Sequence, residues 1–133
     1  MPPWWDKMKL NHKAYTFPTL VLGIFILGLC VLPGSAVPEV GWQGILGLDK
    51  WVHCLLYGAW IYVYMKYGGS KPYLALLLMF LYGGAIELIQ EYLLQYRSGE
   101  WADWVADGIG LVLGLIACSQ IRRKRKVSSK TNV

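Results

Sequence analysis

Four apolar runs take up most of the chain: Tyr15–Leu32, Trp51–Tyr67, Tyr73–Leu94 and Trp104–Ile121. Each is close to the roughly 20 residues a helix needs to cross a bilayer, or the smaller number that suffices where the membrane is thin. A soluble domain of 133 residues could not bury this much apolar sequence. The breaks between runs use residues that stop helices. Pro33-Gly34 closes the first run, and Pro72 opens the third in its first turn, where a missing N–H costs nothing. Trp, Tyr and Lys stand at nearly every end, as an interfacial belt requires. The pattern predicts an all-α fold, an integral membrane bundle of four transmembrane helices. The membrane domain covers residues 15–121, between an N-terminal segment (1–14) and a basic tail (122–133).

Charge placement sets the expected orientation. A net charge of +5 would suit a nucleic-acid binder, but the basic residues flank the apolar runs. Lys7, Lys9 and Lys13 precede the first run, Lys66 and Lys71 link the second and third, and six follow Ile121. Only Lys50 and Arg97 lie on the alternate side. Eleven against two predicts both termini in the cytoplasm, and no basic patch remains for nucleic acid. Seven of the eight acids, all but Asp6, then fall on the outer side. Cys30, Cys54 and Cys118 are odd in number and each sits in an apolar run, so free thiols are expected.

The flanking segments carry weaker signals. The Pro- and Gly-broken stretch from Pro33 to Leu48 reads as an outer loop, with Trp42, Ile45, Leu46 and Leu48 able to lie on the interface. The tail is expected to be disordered and to anchor the topology. A cleaved signal peptide is the rival reading of the first run, with small residues at Gly34 and Ala36. The long charged region argues against it, and cleavage would leave the other three spans oriented as before.

The polar residues inside the runs form stripes. Asp49, His53 and Tyr57 recur at i, i+4 and i+8; Glu87, Gln90 and Glu91 share a face; Asp103 and Asp107 are again i, i+4, continued by Gly110 and Gly114. With alternating span directions, all three stripes reach similar depth in the outer half of the membrane. Gly83, Gly110 and Gly114 would let the helices approach closely beneath them. The expectation is a polar cup, open to the outer face and sideways to the outer leaflet. A carboxylate near mid-bilayer costs about 2.5–3.5 kcal/mol, so these groups need a protein-lined or wet site.

Three segments, LDKWVHCLLYGAW (48–60), AIELIQEYL (85–93) and YRSGEWADWVADGIGLVLG (96–114), resemble the motifs of the VanZ-like family. That family's pattern is D-K-x-x-H-x-x-x-Y, then E-x-x-Q, then an Arg followed by D-x-x-x-N-x-x-G. The matching positions here are Asp49, Lys50, His53, Tyr57, Glu87, Gln90, Arg97, Asp103 and Asp107, with Asp107 standing where the family usually has Asn. The resemblance runs from Asp49 to about Cys118. It implies a multi-pass protein of a bacterial plasma membrane, with a link to glycopeptide (teicoplanin) resistance. It also implies action on a lipid head group or a lipid-linked cell-envelope intermediate; no cofactor or protein partner follows from it.

The chemistry expected of these residues is acid–base. His53, oriented by Glu87, would be a general base, with Asp103 or Asp107 positioning the pair. Glu87 could itself serve as an acid. Arg97 and Gln90 would hold phosphate, Gln90 having an interhelical hydrogen bond as its plain alternative. Asp49 and Lys50 would cap and anchor the second span or meet the head group, and Tyr57 would donate into the cup or fill the core. His53, Glu87, Asp103 and Asp107 supply enough donors for a divalent metal, but no compact motif such as H-E-x-x-H is present and no metal ligand is assigned. A binder that masks an envelope lipid without turnover fits the same residues. A proton or ion pathway fits less well, because the inner halves of the spans carry no polar trail.

Overall fold

The computed structural model describes residues 15–33, 47–95 and 98–131. Within them are four helices and no strand: α1 (Thr16–Val31), α2 (Leu48–Lys66), α3 (Pro72–Leu93) and α4 (Trp101–Thr131). The ends agree with the apolar runs to within about three residues, except at the C-terminus. There α4 continues through the basic stretch to Thr131, which corrects the expectation of a disordered tail. Arg and Lys are good helix formers and are favoured near a helix C-terminus, so the apolar helix has no reason to stop at Ile121. Arg122 also donates to the Met65 carbonyl at the end of α2. Lys7, Lys9, Lys13, Trp42, Ile45 and Leu46 lie outside the described residues.

Two of the helices, α3 and the Trp101–Ser128 portion of α4, are long and apolar enough to cross a membrane; α1 is apolar but shorter. The side chains are arranged inside out. His53, Glu87, Gln90, Asp103 and Asp107 are buried, while Phe17, Ile24, Leu55, Leu78, Leu88 and Leu113 are all more than half exposed. In water such an apolar exterior would be strongly disfavoured, each Å² costing about 25 cal/mol.

Glycines determine how closely the helices pack. A Cβ on Gly110 would strike the Cys54 carbonyl, and one on Gly114 would strike the Gly58 carbonyl and Ile61. The backbones of α2 and α4 are therefore in direct contact along one turn. Between α3 and α4, Gly84 accommodates the Trp104 indole and Gly108 the Phe80 ring. Those two rings stack at 4.7 Å, and Trp104 Nε1 donates to the Phe80 carbonyl at 2.9 Å. Helix α1 is held by side chains that reach its backbone. Trp60 donates to the Thr19 carbonyl, Tyr82 to Gly23 and Gln90 to Cys30, each at 2.8 Å. Cys30, Cys54 and Cys118 form no disulfide, as expected.

Gly110→Val should destabilise the protein severely, because the contact it meets is backbone and cannot swing aside. Gly28→Ala meets nothing within 4 Å and should leave stability within about 0.5 kcal/mol of wild type. Thermal unfolding in detergent, followed by the loss of a monodisperse peak, compares the two directly.

Candidate functional site

The three stripes do meet. His53 sits in the second turn of α2, and its Nδ1 lies 2.8 Å from Asp107 Oδ1 on α4. With Asp107 ionised and the ring neutral, Nδ1 is the nitrogen that carries the proton, and Asp107 then sets both the ring's orientation and its tautomer. The other nitrogen, Nε2, then faces Asp103, 3.9 Å from its Oδ2. One oxygen of Glu87 lies within 4.8 Å of donor atoms of both His53 and Asp103. All four residues are more than nine-tenths buried.

Glu87 is not the partner of His53, contrary to the sequence expectation. Its Oε2 accepts the backbone N–H of Glu100 at 2.7 Å. The Glu100 carbonyl in turn accepts from the amides of Asp103 and Trp104, so Glu100 caps the start of α4. Glu87 thus fixes where α4 begins, and through it the position of both aspartates. Gly99 allows this approach, since a Cβ there would strike the Glu87 carbonyl. Glu91 adds a second tie by accepting the Gly99 N–H at 3.1 Å. The role of Glu100 was missed in the sequence; its only signal is its place three residues before Asp103.

Lys50 lies across the cluster at the starts of α2 and α4. Its Nζ lies 2.8 Å from Glu100, 3.2 Å from Asp103 Oδ1 and 3.3 Å from Asp49. Lys50 stands in the first turn of α2, just before the apolar run that begins at Trp51. Asp49 lies in the first turn of α2, where a negative charge suits the helix dipole, without a side-chain capping bond.

The remaining candidates separate clearly. Gln90, 2% exposed, spends its amide on the Cys30 carbonyl, so it takes the structural alternative and not the phosphate role. Tyr57 fills the core edge-to-face against Trp60, with its hydroxyl beside Asp107 over Gly83: a Cβ there would lie 3.1 Å from the hydroxyl and 2.6 Å from Asp107 Oδ2. Arg97 lies outside the described residues. Among the described residues, three buried carboxylate oxygens, Glu87 Oε1, Asp103 Oδ1 and Asp107 Oδ2, lack a hydrogen-bond donor, although Asp103 Oδ1 has Lys50 as an ion-pair partner. Beside Glu87, a cleft of about 480 Å³ opens between α3 and α4, walled by Leu81, Leu88, Tyr92, Trp101 and Trp104.

Glu87→Ala should release the Glu100 amide, while Glu87→Gln keeps an acceptor there. Losing a charge-assisted bond of about 1.5–3 kcal/mol corresponds to roughly 10- to 100-fold faster hydrogen exchange at Glu100. Exchange at Gly99 should respond to Glu91→Ala instead. Mass-resolved exchange of the 98–100 segment measures both.

No family model, curated protein or solved structure matches the chain.

Proposed function

We propose that this chain is a VanZ-like protein of a bacterial plasma membrane, with four spans, both termini cytoplasmic, and a cup in the outer half of the membrane. The cup receives the head group of a membrane lipid or of a lipid-linked envelope intermediate. One observation carries the reading: polar residues of three helices form a single buried cluster, inside an apolar exterior and beside a cleft with apolar walls. An acyl chain suits the Leu81, Leu88 and Tyr92 wall, and a polar head suits the cluster to which Glu87 belongs. The inside-out burial of α1 and α2 supports counting them as spans, although α1 is short and α2 carries Asp49, Lys50 and His53. Lys66 and the basic end of α4 lie together, opposite the cup, consistent with one cytoplasmic side.

The chemistry best supported is general base catalysis by His53, with Asp107 in the orienting role. His53 Nε2 takes the proton of a water or hydroxyl as its oxygen bonds to the phosphorus or carbonyl carbon of the head group. The same nitrogen then returns the proton to the departing oxygen. The Asp107–Nδ1 bond stabilises the imidazolium formed between the two steps. Removing or masking an envelope lipid would alter access by a glycopeptide, as the resemblance implies.

The test is lipid mass spectrometry on cells expressing the wild type, His53→Ala or Glu87→Ala at matched membrane levels. A head-group species gained or lost with the wild type alone is the expected result. Identical profiles would remove the enzymatic reading, and a lipid that co-purifies with the wild type alone would then establish the masking binder. Cysteine labelling that put positions 53 and 87 on opposite sides of the membrane would sink both.

A further inference from the structure

Among the described residues, the cup contains more carboxylate than its cations balance. Asp103, Glu87 and Asp107 are buried around a His53 whose Nδ1–H is committed to Asp107, and Lys50 is shared among Asp103, Asp49 and Glu100. Lys50 fills the outer acidic group formed by Asp49, Glu100 and Asp103. Among the described residues, nothing comparable fills the inner one. There His53, Glu87 and Asp103 each present a donor atom within 4.8 Å of the others.

We propose that His53, Glu87 and Asp103 bind a divalent transition-metal cation, with Asp107 orienting the imidazole. Several independent features converge on this. The Nδ1–H to Asp107 bond leaves the Nε2 lone pair facing the two carboxylates, the arrangement by which a carboxylate behind a histidine sets the tautomer of a metal ligand. The 3.9 Å between Nε2 and Asp103 Oδ2 is too long for a hydrogen bond. It does match two ligands of one ion, which stand about 3–4 Å apart when each bond is about 2.1 Å. Glu87 is 8% exposed, and its Oε1 has no donor among the described residues while Oε2 is held by Glu100. A carboxyl oxygen left bare at that depth is costly unless a cation or proton meets it. An imidazole nitrogen with two carboxylate oxygens suits Zn²⁺ or a neighbouring transition ion over Mg²⁺ or Ca²⁺, which favour all-oxygen sites.

The site is the one assigned to the lipid head group. The use of the cation rests on that reading and its binding does not; with the ion bound, Nε2 is a ligand and not the base, so the two roles of His53 exclude each other. A bare phosphate would meet more negative than positive charge in this cup, whereas a bound dication would give phosphate oxygens a partner.

The experiment uses the full chain in detergent micelles, stripped with a chelator and titrated calorimetrically with ZnCl₂ in the absence of lipid. One-to-one uptake is expected, weakened roughly 10-fold or more by His53→Ala and by Glu87→Gln, and unchanged by Glu91→Gln. X-ray absorption of the zinc-loaded wild type gives a readout that needs no variant to fold. One imidazole with oxygen neighbours at about 2.0–2.2 Å is expected. No saturable uptake, a sulfur shell, or oxygen ligands alone would each overturn the proposal. Metal binding with an unchanged cellular lipid profile would leave this inference standing and remove the enzymatic head-group reading. A changed profile without metal uptake would do the reverse.

Discussion

The polar centre depends on the backbone contact between α2 and α4. Gly110 lies against the Cys54 carbonyl and Gly114 against Gly58, so the two helices are closer than any side chain would permit. Cys54 adjoins His53, and Gly110 is one turn beyond Asp107. The contact therefore fixes the register of the His53–Asp107 bond. A slip of one residue moves a helix about 1.5 Å along its axis, enough to break a bond 2.8 Å long. Neither residue could hold the other in place alone, since both side chains rotate.

A second set of constraints positions α3 against the start of α4. Glu87 accepts from Glu100, and Glu91 from Gly99, while Trp104 stacks on Phe80 and bonds its carbonyl. These ties locate Asp103 next to Glu87. Carboxylates in this chain thus serve two ends: one oxygen secures a helix terminus while the other remains in the cup. For Glu87 the two uses are on one residue, so a substitution there perturbs architecture and cluster together. His53 is the cleaner probe of chemistry, since its only described hydrogen bond is to Asp107.

Much of this was legible in the sequence, for reasons that also explain the rest. Apolar run length gave the helix positions, and the i, i+4 spacing gave which residues share a face and depth. Helical spacing does not give the rotation of one helix about its neighbour, so it could not say whether Glu87 or Asp107 would meet His53. The fate of Gln90 was hidden for another reason. Its acceptor is the Cys30 carbonyl, and a backbone acceptor leaves no trace in residue identity. Gly99 and Glu100 carry no such signal, because their importance lies in their amides. The basic tail was misread because composition alone separates a disordered segment poorly from a helix extended by its apolar predecessor. The grouping of His53, Glu87 and Asp103 from three helices likewise escapes a motif search confined to one helix, although their donor types were visible.

The charge of the cup narrows what can enter it. Asp49, Glu100, Asp103, Glu87 and Asp107 converge on one lysine and one histidine among the described residues of the site. Gln90, expected to meet phosphate, is turned toward α1. An anionic head group entering from the cleft beside Glu87 would therefore be repelled unless it brought, or found, a cation. On the head-group reading, a head group with its own amine would pair with the carboxylates directly, whereas a bare phosphate would need a bound cation. The acids that make the interior costly to insert are thus also its selectivity element. On the head-group reading, they would favour ligands that carry positive charge, and they would make recognition of phosphate conditional on what His53, Glu87 and Asp103 hold between them.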